Sequence, residues 1–355
     1  DYVIAEGTHY ADGADAQETS PADAAHGYLP CGVGVYKLRF SLADETAAAD
    51  EEEEQKQWWL YFDGISRDAS VWLNSALIGH HASAHAPVRG EVSSHLLHGL
   101  QQNELQVRVD CSQPSGWWYE GGGIYRHVFL EWAPKRAHIA PWGVFVYTTS
   151  VFENQAVISV DTTIEITSGQ PKKARVHLRH KVVDFNDDLI ARSESSTLKL
   201  GGVNKVQIKV SDPQLWSPDT PNLYLLVTEL TDERGVMMDA VNTTFGIRTF
   251  EHNREEGLKL NGEPIKIKGM CNHQDFAGVG IAVSDNFQYF RVKEMKKMGA
   301  NAWRTAHNPP APALLDECDR QGLIVWDENH QNGGSKEFID DIQAMVLRDR
   351  NHPSI

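Results

Sequence analysis

The stretch that decides the fold is residues 300–330, which read ANAWRTAHNPPAPALLDECDRQGLIVWDENH. Residues 300–304 predict a strand. Pro309-Pro310 then favour the start of a helix, and Gly322 favours its end. Residues 323–326 give a further strand. A strand, a helix and a strand in this order predict parallel strands joined by a right-handed crossover.

The same pattern occurs on both sides of this stretch. Residues 264–270 are an apolar run, Ser284 can cap a helix, and Gly299 can end it. The apolar side chains near one face of that helix are Phe287, Phe290, Met295 and Met298. Residues 336–349 predict a last helix. Three βα units indicate a doubly wound sheet or the opening of a βα barrel. A nucleotide-binding sheet is disfavoured, because neither of the phosphate-binding motifs GxGxxG and GxxxxGK(S/T) follows any strand.

Before residue 250 the chain has the pattern of antiparallel β-sheets. Residues 1–135 predict one β domain, with a turn at Asp63-Gly64 and strands at residues 58–62, 69–74, 104–110 and 127–132. An acidic stretch between residues 43 and 57 suits a solvated loop. Residues 136–249 predict a small immunoglobulin-like sandwich, with strands at residues 156–165, 174–183, 205–210 and 223–230.

The composition is that of a globular protein of two or three domains, with 355 residues, 41% hydrophobic and 23% charged. The formal net charge of -16 argues against a nucleic-acid partner, which needs clustered Lys and Arg. No apolar run approaches the roughly 20 residues of a spanning helix, so no membrane segment is predicted. The localisation is left open. Four cysteines without a CxxC pair predict ordinary buried thiols rather than a zinc site or a disulfide framework: Cys31, Cys111, Cys271 and Cys318.

Polar side chains follow each predicted strand of the α/β part. They are Asn272, His273, Gln274 and Asp275 after the first strand, Arg304, Thr305, His307 and Asn308 after the second, and Asp327, Glu328, Asn329 and His330 after the third. Strand ends border water, so any one of these residues is ordinary there. Three such loops together favour a site, because barrel chemistry lies at the carboxyl ends of the strands. The predicted substrate-binding residues are His273, Arg304, His307, Asn308 and Asp327.

Some of these residues, and a segment of the first domain, also suggest other kinds of site. A metal held by His273, His307 and Glu328 lacks the HxxxH or HExxH spacing of known sites, so no metal site is predicted. Asp327 and Glu328 are adjacent on an extended strand and face opposite ways, so only one can point into a barrel. Residues 117–126, WWYEGGGIYR, suit a stacking platform for a sugar ring or, more commonly, a packed turn at a domain interface.

At this point the chain resembles the glycoside hydrolases of family 2. The residues that carry the resemblance are His26 to Pro30, FDGISRDASVWLN at 62–74, GGGIYR at 121–126, FGIR at 245–248, NAWRTAHNPP at 301–310, DRQGL at 319–323 and Asp327-Glu328. The resemblance implies a jelly-roll domain over residues 1–135, an immunoglobulin-like sandwich over 136–249 and the first part of a (β/α)8 TIM barrel over 250–355. It implies a glycone pocket lined by His273, Arg304 and His307.

The family implies a retaining, exo-acting hydrolase of β-linked glycosides, and Asn308-Pro309-Pro310 is most similar to the β-galactosidases. No cofactor is expected, apart from a structural or activating Mg or Na ion in the full-length protein. The expected partner is a β-linked oligosaccharide or glycoside, and self-association into a homo-oligomer is also considered.

This chain also differs from the pattern of the family in several places. The general acid/base Glu of the family follows a strand opened by a segment like RNHPSI at 350–355, and its nucleophile Glu lies further on. Retaining hydrolysis needs both carboxyl groups, so this polypeptide alone is predicted to be inactive, with its catalytic residues expected beyond Ile355. An incomplete barrel is also expected to be prone to aggregation. Ser83-Ala84-His85 and Asn329-His330 differ from the usual family residues and leave the sugar open. The rival hypothesis is a non-catalytic carbohydrate-binding or scaffold protein built on the two β domains.

Overall fold

The computed structural model describes residues 2–3, 32–42, 56–112, 121–166, 176–195, 198, 200–276, 279–330 and 333–355. The stretch from His26 to Cys31, most of the acidic loop and residues 113–120 lie outside the described residues. Among the described residues, no helix is both long enough and apolar enough to span a bilayer.

The first unit is a β-sandwich. Its strands are β1 (Tyr2–Val3), β2 (Val33–Phe40), β3 (Lys56–Phe62), β4 (Ile65–Ser66), β5 (Ala69–Leu73), β6 (Ala76–His81), β7 (Val88–Glu91), β8 (Asn103–Asp110), β9 (Gly123–Ile124) and β10 (Val128–Pro134). Two four-stranded antiparallel sheets, in the orders β1-β10-β3-β7 and β2-β8-β5-β6, enclose one apolar core. The four strands predicted here are confirmed, and the two sheets agree with a jelly roll.

The alternation of buried and exposed side chains along the strands explains most of this core. In β8 the buried residues are Asn103, Leu105, Val107 and Val109, every second position, because successive side chains of a strand face opposite ways. Strand β3 departs from that pattern, since Trp58, Trp59 and Leu60 are buried in succession. Trp59 lies on the outer face, where the ring of His138 covers it at 5.6 Å and the Arg89 guanidinium at 4.0 Å. The first unit is therefore covered on that face by the start of the second.

The second unit is also a sandwich. Its strands are β11 (His138–Phe152), β12 (Gln155–Glu165), β13 (Val176–Val183), β14 (Leu189–Ser195), β15 (Gly202–Ser211), β16 (Tyr224–Asp232) and β17 (Met237–Phe245). They form an antiparallel sheet in the order β11-β12-β15 and another in the order β14-β13-β16-β17, with a continuous core between them. The four predicted strands lie within β12, β13, β15 and β16, apart from one or two terminal residues.

The third unit begins with an antiparallel sheet of β18 (Phe250–Asn253), β19 (Gly257–Leu260) and β20 (Glu263–Pro264). Alternating strands and helices follow: β21 (Gly269–His273), α1 (Asp285–Lys297), β22 (Ala302–Ala306), α2 (Pro312–Gln321), β23 (Ile324–Trp326) and α3 (Lys336–Asp349). The strands β21, β22 and β23 pair in parallel and in chain order. The carbonyl of Ser354 accepts a hydrogen bond from the backbone N of Val325 in β23 at 2.7 Å. The predicted boundaries after residues 135 and 249 fall between β10 and β11 and between β17 and β18.

Two predictions for this unit were wrong in detail. The first parallel strand is not residues 264–270, because Pro264 pairs with Lys259 in the antiparallel sheet and the parallel strand starts at Gly269. A Cβ on Gly269 would lie 2.6 Å from the carbonyl oxygen of Ala302, so only glycine allows this close approach of the two strands. His273 consequently lies at the end of the strand, not in the loop after it.

The core face of α1 also differs from the prediction. Its buried residues are Gln288, Val292 and Met295, whereas Phe290 and Met298 are exposed. Phe290 instead contacts Phe287, with the ring centroids 5.6 Å apart and the rings tilted by 37°. The helix ends were better predicted: α3 spans residues 336–349, and Gly322 caps α2 in the left-handed conformation with φ 71°.

The three units are fixed to one another by the family-like motifs. Trp216 of the second unit is fully buried, and its indole Nε1 donates to the carbonyl of Asp319 in α2 at 2.9 Å. Gly246 lies so close that a Cβ there would be 2.7 Å from Pro353 and 2.8 Å from Trp216. Arg126 of the first unit donates to the carbonyl of Pro309 at 2.8 Å. The glycine-rich segment 121–126 therefore packs at a domain interface.

Candidate active site

The carboxyl ends of β21, β22 and β23 bring the predicted polar residues to one edge of the parallel sheet. Register places Cys271 beside Arg304 and Arg304 beside Trp326, while His273 pairs with Ala306. Because strands in parallel register end together, the side chains that follow them converge. His273, Arg304 and His307 meet there, as predicted.

Arg304 is the centre of the cluster. Its guanidinium donates from Nη2 to Glu328 Oε1 at 2.8 Å and from Nη1 to Cys271 Sγ at 3.3 Å. His307 Nδ1 lies 3.2 Å from the same Glu328 oxygen and 3.3 Å from Arg304 Nη2. The hydrogen bond to Glu328 raises the pKa of Arg304, so the guanidinium remains a fixed positive charge. The second carboxylate oxygen, Glu328 Oε2, is buried and accepts no hydrogen bond from the residues that the structure describes.

His273 completes the cluster from the neighbouring strand. Its ring stands edge-on to that of His307, with centroids 5.2 Å apart. Burial lowers the pKa of His273, although nearby Asp275 opposes that shift, so the ring is neutral at pH 7. The charges of Arg304 and Glu328 offset each other. The site therefore presents donors and acceptors without a large net charge.

Asp327 lies elsewhere, although it was predicted as a substrate-binding residue. Burial, reinforced by the negative charge of Asp349 in α3, raises the pKa of Asp327 to about 8. Its carboxyl hydrogen-bonds that of Asp349, which in turn binds Arg348 at 2.6 Å. A raised carboxyl pKa often marks a catalytic acid, but structural ion-pair networks produce the same shift. Here the partners belong to α3, behind the sheet.

Glu328 takes the place at the cluster that was predicted for Asp327. The two residues face opposite ways, as expected for neighbours on an extended chain. Trp326, two residues before Glu328, is 72% exposed on the inner side of the sheet, whereas Val325 is buried in the core against the helices. Glu328 is two residues from Trp326 and faces the same side of the sheet, whereas Asp327 is two residues from Val325 and faces the side of the helices. This alternation of side-chain direction was the signal in the sequence that could have predicted Glu328, rather than Asp327, at the cluster.

Asn308 is near the cluster but is 2% exposed. Its amide donates to the carbonyl of Pro309 at 2.9 Å, the same carbonyl that Arg126 binds. The structure thus places Asn308 in the backbone support of the loop after β22. Its role in substrate binding stays a prediction.

Backbone contacts hold the cluster in position. Thr305 Oγ1 accepts from the backbone N of Glu328 at 3.0 Å, and His330 Nδ1 lies 2.9 Å from the carbonyl of His307. Arg291 of α1 donates to the carbonyl of His273. Each donor or acceptor of the cluster therefore sits on a segment tied to its neighbour, the kind of support that a preorganised site requires.

The first unit reaches the edge of the site. His85 is 6% exposed, and its ring lies 4.4 Å from that of His330. Gln274 connects the two units, because its amide lies 3.3 Å from His85 Nδ1 and its Oε1 accepts from Arg126 at 3.2 Å. Burial, with nearby positive charge, holds the pKa of His85 well below its usual value. His85 is therefore a neutral wall residue of the mouth.

Below the cluster the inner face of the parallel sheet is apolar. A hollow of about 570 Å³ lies against that face and is lined by residues such as Trp326, Ile324 and Ile267, with Arg304 and Cys271 at one side. Polar groups that converge beside an apolar hollow form the usual pattern of a ligand site.

Two β-sandwiches followed by parallel βα units, with a donor-rich cluster at the strand ends, define a multidomain protein whose third part is a partial TIM barrel. Three family models match consecutive parts of the chain: a glycosyl hydrolase 2 galactose-binding domain-like model at residues 35–117, glycosyl hydrolases family 2 at 137–248, and the family 2 TIM barrel domain at 252–336. The chain belongs to glycoside hydrolase family 2.

Curated and solved relatives agree with this family. The chain is 35% identical to the β-galactosidase BoGH2A of Bacteroides ovatus, over 96% of this chain and 40% of that protein. It is 34% identical to a putative β-glucuronidase of Formosa agariphila, over 93% of this chain and 31% of that protein. A family 2 member from Bacteroides cellulosilyticus superposes with a TM-score of 0.84 at 31% identity, over 93% of this chain and 43% of that one. The chain thus spans less than half the length of these relatives.

Proposed function

We propose that this chain forms the front part of a retaining, exo-acting β-glycosidase that binds its glycone at the cluster of Arg304, His307, His273 and Glu328. The observation that carries the proposal is Glu328: one oxygen is fixed by Arg304 at 2.8 Å, and the other is buried without a partner among the described residues. A buried carboxylate oxygen without a donor is costly, and a sugar hydroxyl would supply that donor.

A neutral sugar such as galactose fits this cluster better than an acidic one. The positive charge of Arg304 is already offset by Glu328, and His273 is neutral at pH 7. A glucuronate carboxylate would need an additional cation to compensate its burial. The relatives named above include a β-galactosidase and a putative β-glucuronidase, so a galactoside preference is part of the proposal.

We further propose that the acid/base and the nucleophile are not among the described residues of the cluster. Retaining hydrolysis uses two carboxyl groups about 5 to 5.5 Å apart, one protonated and one ionised. Glu328 is held in an ion pair by Arg304 with His307 beside it, which suits a group that binds a ligand rather than one that gives up a proton. Asp327 contacts Asp349. The 355-residue chain alone should therefore bind a β-galactoside without hydrolysing it, and no cofactor is required for that binding.

Calorimetric titration of the chain with isopropyl β-thiogalactoside tests the binding. We expect Glu328→Gln to weaken it at least about tenfold, because a hydrogen bond to a charged group is worth roughly 1.5 to 3 kcal/mol. Glu294→Gln is the matched control, since Glu294 pairs with Lys297 on the exposed surface of α1 and should leave the affinity unchanged. Equal affinity in the Glu328 variant and the parent would place the sugar elsewhere and contradict the proposal.

An activity assay separates the enzyme from the rival binding protein. Hydrolysis of nitrophenyl β-galactoside by the complete gene product, with none by residues 1–355, is the expected result. Sugar binding without turnover in either form would favour the non-catalytic carbohydrate-binding protein. Faster turnover of the β-glucuronide than of the β-galactoside would keep the enzyme class and refute the neutral glycone.

A further inference from the structure

Three metal-ligating side chains lie together beside the cluster. Cys271 Sγ and one ring nitrogen each of His273 and His307 all lie within 4.8 Å of one another. Cys271 and His273 are two residues apart on β21 and so share one face of the strand. His307 follows β22 directly, and its neighbour Ala306 pairs with His273. The fold, rather than a side-chain rotamer alone, brings the three ligands together.

Their chemistry is that of a soft or borderline transition metal. Thiolate and imidazole are the usual ligands of Zn²⁺, and three protein ligands leave a fourth tetrahedral position for water. Bond lengths of about 2.3 Å to sulfur and about 2.0 Å to nitrogen place such ligands roughly 3.5 Å apart. The three atoms must therefore close by about 1 Å. Cys271 is exposed and both histidines are partly exposed, which allows that adjustment.

The sulfur of Cys271 already contacts a positively charged group. Arg304 Nη1 donates to Cys271 Sγ at 3.3 Å. The positive charge of Arg304 would oppose a bound cation, but Glu328 offsets it through the ion pair at 2.8 Å. On binding, the metal ion takes the sulfur lone pair and any thiol proton leaves to solvent.

A second cluster among the described residues, Asp316, Asp319 and His352, is a weaker candidate. Both oxygens of Asp319 are already used, one by His352 Nδ1 at 2.6 Å and the other by the backbone N of Ser354 at 3.0 Å. Those contacts fix the end of α3 to α2. That cluster holds two elements of the fold together, whereas the Cys271 cluster is partly exposed at the mouth of the site.

We propose that Cys271, His273 and His307 bind one divalent transition-metal ion, with Zn²⁺ as the probe, at the position where the glycone would lie. Two of the three ligands are residues of the proposed sugar pocket, so the ion acts as a competitor of the sugar rather than as a cofactor. This competition rests on the proposed function, whereas the metal binding does not.

Titration of the 355-residue chain with Co²⁺ tests the metal site, because a cobalt–thiolate bond gives a charge-transfer band in the near ultraviolet. We expect one ion per chain and displacement of the band by Zn²⁺. Cys271→Ser should abolish the band and weaken Zn²⁺ binding at least about tenfold by calorimetry. Cys111→Ser, at a buried thiol of the first unit, is the matched control and should keep both. No band in the parent, or a band that survives Cys271→Ser, overturns the proposal.

A second titration tests the competition. Saturating isopropyl β-thiogalactoside should raise the apparent dissociation constant for Zn²⁺ at least about tenfold. If the sugar binds and the Zn²⁺ affinity does not change, the ion and the sugar occupy separate places and the competition is refuted. If the chain binds Zn²⁺ through Cys271 but no sugar, the proposed glycone pocket fails and the metal site stands.

Discussion

His352 offers the sharpest test of how the partial barrel is held together. Its Nδ1 lies 2.6 Å from Asp319 Oδ2, and the ion pair connects the segment after α3 to α2. Burial alone would lower the pKa of His352, but the charge and hydrogen bond of Asp319 outweigh burial and raise it to about 9 from the ordinary 6.5. In the unfolded chain the same residue has its ordinary pKa.

The sign and size of the effect follow from linkage. A group with a raised folded-state pKa stabilises the fold fully below its unfolded pKa, and the stabilisation disappears as the pH rises through the folded value. For His352 that window runs from pH 6.5 to about 9. Each pH unit of the window corresponds to about 1.4 kcal/mol, so the ion pair should contribute on the order of 3 kcal/mol at pH 6 and almost none at pH 10.

Hydrogen exchange of the amides in α2, followed by mass spectrometry and corrected for the intrinsic rate, measures this contribution locally. We expect His352→Gln to lower the opening free energy of α2 by about 3 kcal/mol at pH 6, with the difference from the parent vanishing near pH 10. His80→Gln is the control, because the His80–Asp68 pair at 3.1 Å lies on the surface and should not change α2. Parallel pH curves for His352→Gln and the parent would refute the reasoning.

Three further predictions concern stability, each measured by urea unfolding. Arg348→Met should cost about 3 to 5 kcal/mol, because it leaves buried carboxylates without a counter-charge, whereas Lys297→Met, at the exposed pair of Lys297 with Glu294, should cost under about 1 kcal/mol; equal losses would contradict this. Gly246→Ala should cost roughly 1 to 3 kcal/mol through overpacking, whereas Gly34→Ala, whose nearest neighbour is 4.0 Å away, should cost much less. Asp327→Asn should gain stability relative to the parent as the pH rises from 5 to 8, because the folded parent, with the pKa of Asp327 raised to about 8, must keep a proton that the unfolded chain has already lost; a constant difference would contradict this.

Local signals in the sequence predicted most of the architecture. The alternation of apolar and polar residues predicted strands such as β8, and Gly322 and Gly299 predicted helix ends. Both kinds of signal depend on residues that lie close together in the chain. The first parallel strand was misplaced because its start depends on the approach of Gly269 to Ala302, 33 positions later. Successive residues that are all buried, such as Trp58 and Trp59, reflect contacts from another domain, which no local pattern contains.

The site was predicted in part for the same reason. Strand ends are recognisable locally, so the sequence predicted that His273, Arg304 and His307 would lie near one another, and in the structure they do. The choice between Asp327 and Glu328 required knowing which side of β23 faces α3, and this depends on the packing of Val325 and Trp326. Cys271, predicted to be a buried thiol, is exposed beside Arg304, while Cys111 and Cys318 are buried as predicted and Cys31 lies outside the described residues.

The buried indole of Trp216 has a consequence for biosynthesis. It leaves the ribosome about a hundred residues before Asp319, the residue whose carbonyl it binds. Domains generally fold in order of synthesis. The sandwich can therefore be folded, with the Trp216 surface in place, when the first barrel helices emerge. We expect nascent chains to acquire protease resistance in the sandwich first, and the early βα units to dock onto it as a template rather than wait for ring closure.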